Sequence, residues 1–165
     1  MIELLTVSLE NQPGRLLDVV SAVSDAGVDM KALNLTFPGP DRGEVRILVT
    51  DLKRARLAVE PLELACGTIP AVAVEVADQA GGLASILKVA ARAKLSLRSI
   101  FTFVTRVEGK ALAVASFSDN QRAEEVLCQA GFCTVDQNGL GEDYHALDGE
   151  PRLSLNEYVG GSFFW

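Results

Sequence analysis

A chain of 165 residues with 48% hydrophobic and 22% charged side chains carries enough apolar material to close a core, which excludes disorder of its main body. Its formal charge of −7 disfavours a nucleic-acid partner, since binding a phosphate backbone rests on clustered Lys and Arg that displace counterions. No run of about 18 uncharged apolar residues is present, and Met1-Ile2-Glu3 lacks the basic flank of a signal peptide, so a cytoplasmic protein without membrane association is expected.

In chain order, Leu5, Val7 and Leu9 alternate with polar residues, the period-two pattern of a strand with one buried face. After Asn11-Gln12-Pro13-Gly14, Leu16, Val19, Val20 and Val23 fall at i, i+3, i+4 and i+7, the spacing of an amphipathic helix that closes at Gly27. Leu33, Leu35 and Phe37, then Val45, Ile47 and Val49, alternate on either side of Pro38-Gly39-Pro40 and Gly43, which predicts a hairpin. A second helix follows through Leu52, Ala55, Val59 and Leu62, and Pro61 should end or kink it. Only about Leu62 to Thr68 then remains for a fourth strand, which is expected to be short.

The same order then repeats. Val72, Val74 and Val76 alternate; Asp78-Gln79-Ala80-Gly81 forms the turn; Leu83, Ile86, Leu87 and Ala90 keep helical spacing. Leu97, Phe101 and Phe103 lead through a turn at Glu108-Gly109 to Ala113, Ala115 and Phe117, and a last helix carries Ala123, Val126, Leu127 and Ala130. Gly131 is a natural stop, and Phe132 to Val135 reads as a short strand. The expectation is an α+β chain of two ferredoxin-like βαββαβ modules, residues 1–67 and 68–137, each an antiparallel sheet with its helices on one face. A unit that small leaves sheet edges to be paired, by the other copy or by another chain.

Residues 138–165 lie outside the repeat. From Asp136 onward there are six acids (Asp136, Glu142, Asp143, Asp148, Glu150, Glu157) against one base, Arg152. This tail closes with Tyr158, Phe163, Phe164 and Trp165, and an aromatic end of that kind is expected to pack on the body or on a partner subunit.

Each copy offers the same candidate site, the turn before its first helix. The first N–H groups of a helix have no intrahelical partner and sit at the positive end of its dipole, so they can receive a carboxylate. Gly14 and Gly81 remove a side chain from the approach, and Pro13 presets the helix start. The start of the second strand, Asp29 or Ser96, is expected beside the turn, where Asp29 would accept hydrogen bonds from an α-ammonium. The alternative role for Asn11 and Asp78 is to cap the helices.

Leu9 to Leu16, the Gly27-Val28-Asp29 step and the duplication together resemble ACT domains, the regulatory modules of amino-acid metabolism, and in particular tandem ACT proteins that stand alone. The resemblance covers roughly residues 2 to 135. It implies effector binding, typically of an amino acid, at an interface where one module's loop faces a neighbouring module. In the family's serine-regulated dehydrogenases an Asn in the loop and an Asn opening the second strand contact the effector; Asn11 and Asp29 occupy those positions here, with Asp78 and Ser96 in the second copy. Three of the four depart from Asn, so the effector's identity does not carry over. The ligand-contacting set implied is Asn11, Gln12, Pro13, Gly14, Arg15, Leu16 and Asp29, with Asp78, Gln79, Ala80, Gly81, Gly82, Leu83 and Ser96 in the second copy.

Nothing in the sequence assembles catalytic machinery. The single histidine, His145, lies in the acidic tail; Gly81-Gly82 lacks the Lys-Ser/Thr of a phosphate loop; Arg92, Lys94 and Arg98 read as a solvated face. Cys66, Cys128 and Cys133 show no metal-ligand spacing and are expected to be buried structural thiols in a reducing compartment. The sequence therefore reads as a small-molecule sensor and is expected to form a homodimer, since small modules pair, with no cofactor, no metal and no catalytic residue. The alternative is a regulatory subunit working mainly through an interface with a metabolic enzyme.

Overall fold

A computed structural model describes residues 1–104, 109–137 and 139. The elements run β1 (Ile2–Glu10), α1 (Arg15–Asp25), β2 (Met30–Thr36), β3 (Arg42–Val49), α2 (Leu52–Val59), a 3-10 turn (Glu60–Leu62), β4 (Cys66–Ala77), α3 (Gly82–Arg92), β5 (Leu97–Val104), β6 (Lys110–Phe117), α4 (Asn120–Gln129) and β7 (Thr134–Val135). Pro61 ends α2 as its missing N–H requires, and the chain tightens into the 3-10 turn.

The strands form one antiparallel seven-stranded sheet in the order β2-β3-β1-β4-β6-β5, with β7 added on β4. β4 joins its two halves. Residues 66–71 pair with β1, whereas residues 72–77 pair with β6 on the opposite edge. Residues 67 and 68, between which the sequence divides its modules, lie inside this twelve-residue strand. β7 pairs with Ala73 and Val74 on the edge that β1 uses further along, so it continues the line of β1.

Residues paired across strands share a face, and this places all four helices on one side. Leu5, Val7, Leu9, Val45, Ile47 and Val49 pack with Val19, Val23, Ala55 and Val59 of α1 and α2. Val72, Val74, Val76, Ala113, Ala115 and Phe117 pack with Ile86, Ala90, Ala123 and Leu127 of α3 and α4. The opposite face carries a third cluster: Ile2, Leu4 and Leu48 from the first half with Ala71, Ala73, Leu112 and Val114 from the second, all buried. The halves thus share both a strand and a core.

One side-chain amide and one ion pair finish this join. The Gln137 Oε1 accepts from the Glu3 N–H at 2.9 Å while its Nε2 donates to the Val49 carbonyl at 3.0 Å. Extending the β1–β3 register from Leu5↔Ile47 sets Glu3 opposite Val49, so the amide takes a place that a direct rung would fill. The Met1 ammonium pairs with Glu124 of α4, a second tie between the halves.

None of the three cysteines is buried. Cys66 is half-buried, while Cys128 and Cys133 are exposed, with the Cys128 Sγ 3.5 Å from the Thr134 hydroxyl. The reason is position: Cys128 follows the buried Leu127 on α4 and turns to its outer face, and Cys133 lies in the connection to β7. No helix among the described residues is long and apolar enough to cross a membrane. The tail from Leu140, with His145 and the four aromatics, lies outside the described residues, as does Glu108 of the second hairpin turn.

Candidate functional site

Both turns before the first helices are built alike. The helix N-caps are Gly14 and Gly81, each at φ 92°, and no side chain caps either helix. Asn11 and Asp78 therefore do not cap. Instead each turn is tied through its backbone to the hairpin of its own half: Asn11 N–H donates to the Asp41 carbonyl and Asp78 N–H to the Gly109 carbonyl, both at 2.9 Å. The Asn11 side chain adds a bond from its amide to the Pro40 carbonyl at 3.1 Å. These hairpin positions are not among the candidate residues; the Pro38-Gly39-Pro40 and Glu108-Gly109 turns are their signals in the sequence.

At the start of α1 the N–H groups of Arg15 and Asp18 turn back to Gln12 and Gly14, which leaves those of Leu16 and Leu17 without a partner among the described residues. In α3 Gly82 and Ser85 make the equivalent bonds to Gln79 and Gly81, leaving Leu83 and Ala84. A Cβ on Gly14 or Gly81 would meet nothing within 4 Å, so both turns face open space. Two unpaired donors at a helix start, approached over a glycine, can hold one carboxylate.

The halves differ one residue further on. Arg15 reaches back toward Glu10 at 3.6 Å and forward toward Asp18 at 3.9 Å, setting a guanidinium beside the first turn. Its counterpart, Gly82, is buried, and a Cβ there would overlap the Ala77 carbonyl. Gln12 and Pro13, like Gln79 and Ala80, are exposed; Leu16 packs against the first core, whereas Leu83 is exposed.

Asp29 and Ser96 are not beside the turns of their own halves. In register, Leu5, Ile47 and Leu33 lie in line across β1, β3 and β2. The turn follows Glu10 in one direction and Asp29 precedes Met30 in the other, roughly 30 Å apart at about 3.3 Å per residue. β1 and β2 run the same way, so the end of one and the start of the other fall at opposite ends of the sheet. The sequence expectation overlooked that consequence of the two-strand crossover.

Where it does lie, Asp29 is held by Lys31, its carboxylate 2.7 Å from the ammonium. Its carbonyl accepts from Thr50 N–H at 3.1 Å, and the Ser96 carbonyl likewise accepts from Ser118 N–H at 2.8 Å. The next residues, Asp51 and Asp119, cap α2 and α4 through the Arg54 and Arg122 N–H groups. The repeated Thr50-Asp51 and Ser118-Asp119 segments thus serve structure in both halves. No group of three or more His, Cys, Asp or Glu among the described residues is placed to hold a metal ion.

No protein-family model and no curated protein matches the sequence. Solved structures do match in three dimensions. Protein BT0572 from Bacteroides thetaiotaomicron superposes with a TM-score of 0.79 at 22% identity, over 86% of this chain and 96% of that one. The regulatory subunit of aspartate kinase from Thermus thermophilus, in its ligand-free form, gives 0.57 at 18% identity, over 78% and 90%. The chain has an ACT-like fold. The allosteric aspartate kinase of Clostridium acetobutylicum contains the same arrangement, with a TM-score of 0.52 at 14% identity, over 78% of this chain but only 32% of the kinase. The ACT-like chain therefore resembles a part of that enzyme rather than the whole of it.

Proposed function

We propose that this chain is a cytoplasmic sensor built from two ACT modules, which binds an amino acid or a related small acid and acts through binding rather than catalysis. The observation that carries this reading is the repeated turn, with two unpartnered N–H groups and an open glycine in each half. The loop residues Asn11 to Leu16 and Asp78 to Leu83 form its contact set. A likeness in fold to the regulatory subunit of aspartate kinase supports a regulatory role.

A homodimer completes the site. β2 is an edge strand; its Leu33 and, just beyond its end, Phe37 remain 40% and 42% exposed. Antiparallel pairing of two β2 strands about Leu33 would set Asp29 of one protomer against Phe37 of the other. The partner's hairpin and the Asn11 turn tied to it lie just beyond. One protomer would hold the carboxylate on its helix start while the other accepts the ammonium on Asp29. β5, with Ser96 before it and Leu97 exposed, offers the equivalent edge in the second half.

The second reading is a regulatory subunit acting through a protein interface. Stable co-purification with a larger enzyme separates it from a free sensor.

The deciding experiment is thermal denaturation with each of the twenty amino acids and a few keto acids, repeated on Asn11→Ala and Asp78→Ala. A ligand at a hundredfold excess over Kd adds about 2.7 kcal/mol of stability. A midpoint raised by one compound and lost in a loop variant names the effector. If no compound raises it, the sensor reading fails and the interface reading stands.

A further inference from the structure

A groove of about 630 Å³ lies on the helix-bearing face, lined by Glu3, by Leu52, Lys53, Arg56 and Leu57 of α2 with Glu60 after it, and by Cys66 and Thr68 of β4. Neither candidate turn contributes to it. Three features mark it as a place for a peptide segment.

The first is an open strand edge. Ser8 N–H donates to the Ala65 carbonyl, which puts 65, 67, 69 and 71 in the bonding phase toward β1 and turns 66, 68 and 70 outward. β6 takes up that outward edge from Val72 onward, and the Asn120 amide takes the Pro70 carbonyl at 2.8 Å. The outward N–H and C=O groups of Cys66 and Thr68 have no partner among the described residues. An extended segment could add there as a strand.

The second is charge. The α2 side of the groove carries Lys53 and Arg56, with Arg54 beside them on a helix whose charged residues are all basic, while Glu3 and Glu60 stand at its other positions; α4, by contrast, mixes Arg122 with Glu124 and Glu125. None of the three α2 cations makes an ion pair among the described residues. Beside them Leu57 is 59% exposed.

The third is where the chain goes. Its last described stretch is fastened by Gln137 to the N–H of Glu3, a groove-lining residue, and Gly139 N–H is turned back onto Asp136 at 2.7 Å. Residues 140–165 thus leave from a point two residues past a contact with groove-lining Glu3. Gly139 itself sits against Val135 and Asp136, outside the groove, and the 26 residues that follow are long enough to reach back to it. They carry Glu142, Asp143, Asp148, Glu150 and Glu157 against Arg152, alternate Leu153-Ser154-Leu155-Asn156 and end in Phe163-Phe164-Trp165. Acidic charge, strand-like alternation and large apolar side chains answer the basic helix, the open edge and the exposed leucine.

We propose that the C-terminal segment of the same chain docks in this groove, in cis, along the Cys66–Thr68 edge and against α2. A docked tail shields Leu57 and pairs the free edge, which would otherwise be open to association between chains.

Trp165 is the only tryptophan, so its fluorescence reports the tail directly. The test records emission and acrylamide quenching of the full-length protein and of the double variant Lys53→Glu/Arg56→Glu, with far-UV circular dichroism to verify that both fold. Those two positions are exposed, so the substitutions leave the cores intact. Docking predicts blue-shifted, protected emission in the native protein, unchanged on dilution. In the variant it predicts a red shift and a several-fold rise in quenching. Solvent-like emission in the native protein overturns the proposal, as does protection that survives the double substitution, which would put the tail elsewhere. Protection lost on dilution also overturns it, in favour of a second copy as the occupant.

Discussion

Asn120 closes the sheet against Pro70. Its amide nitrogen donates to the Pro70 carbonyl at 2.8 Å, while its Oδ1 accepts from the Phe117 N–H at 2.7 Å. In the β4–β6 register Phe117 stands opposite Pro70, one alternate pair beyond Val72↔Ala115. A proline has no N–H to give the Phe117 carbonyl, so that rung is lost, and the side-chain amide bridges the other one, between the Phe117 N–H and the Pro70 carbonyl. Asn120→Ala should cost about 1–3 kcal/mol, the range for leaving a partly buried bonding group unsatisfied, measured by urea denaturation. Asn120→Asp, which loses the donor to Pro70 but retains an acceptor for Phe117, should cost less. Equal losses would mean that the two bonds do not act as this bridge.

The shared strand makes a claim about cooperativity. Because β4 belongs to both halves and Leu4 and Leu48 pack with Leu112 and Val114, neither half should unfold alone. Leu4→Ala, at a fully enclosed site in the first half, should lower stability by about 2–5 kcal/mol. Hydrogen exchange should then speed up in β6 as well as in β1, within a single calorimetric transition. Two transitions, or acceleration confined to β1 and β3, would show two independent domains.

The element order was legible because both periodicities are clean. Val72, Val74 and Val76 alternate, Ile86 and Ala90 fall one helical turn apart, and each set is buried where the pattern puts it. Pro61 likewise marked the end of α2 by chemistry that does not depend on tertiary context. The fusion at β4 was hidden for a physical reason: Cys66-Gly67-Thr68 lacks apolar alternation because one edge of that stretch is open and two of its three residues are not bulky apolar groups. Burial of the cysteines was misjudged because composition says nothing about which side of a helix Cys128 occupies. For the candidate site, the glycines and unpaired N–H groups could be anticipated locally. The distance from Asn11 to Asp29 depends on strand direction, which no local pattern encodes.

That distance yields a test of the site between chains. If Asp29 serves the turn of a second protomer, Asn11→Ala and Asp29→Ala should each abolish effector binding in the first-half site of a homodimer. Mixing the two variants, unfolded and refolded together, should restore it in heterodimers, each with one site carrying both substitutions and one carrying neither. Calorimetric titration should therefore recover up to half the native stoichiometry in that species at native affinity. A mixture that binds no better than its parents would separate Asp29 from the Asn11 turn.

The glycines of the two turns should respond to substitution in opposite ways, for reasons visible in their surroundings. Gly14 and Gly81 need a left-handed backbone, but nothing lies within 4 Å of a Cβ at either position. Asn adopts that conformation more readily than other side chains, so Gly14→Asn should keep most of the stability. Gly82 has no such φ requirement, yet a Cβ would run into the Ala77 carbonyl, a backbone atom that cannot swing aside. Gly82→Ala should therefore cost about 1–3 kcal/mol by overpacking, despite the usual preference of a helix for alanine. Urea denaturation of the two variants decides it: if Gly82→Ala is as stable as the native chain, the start of α3 is not pressed onto β4 in this way, and the tight second turn loses its basis.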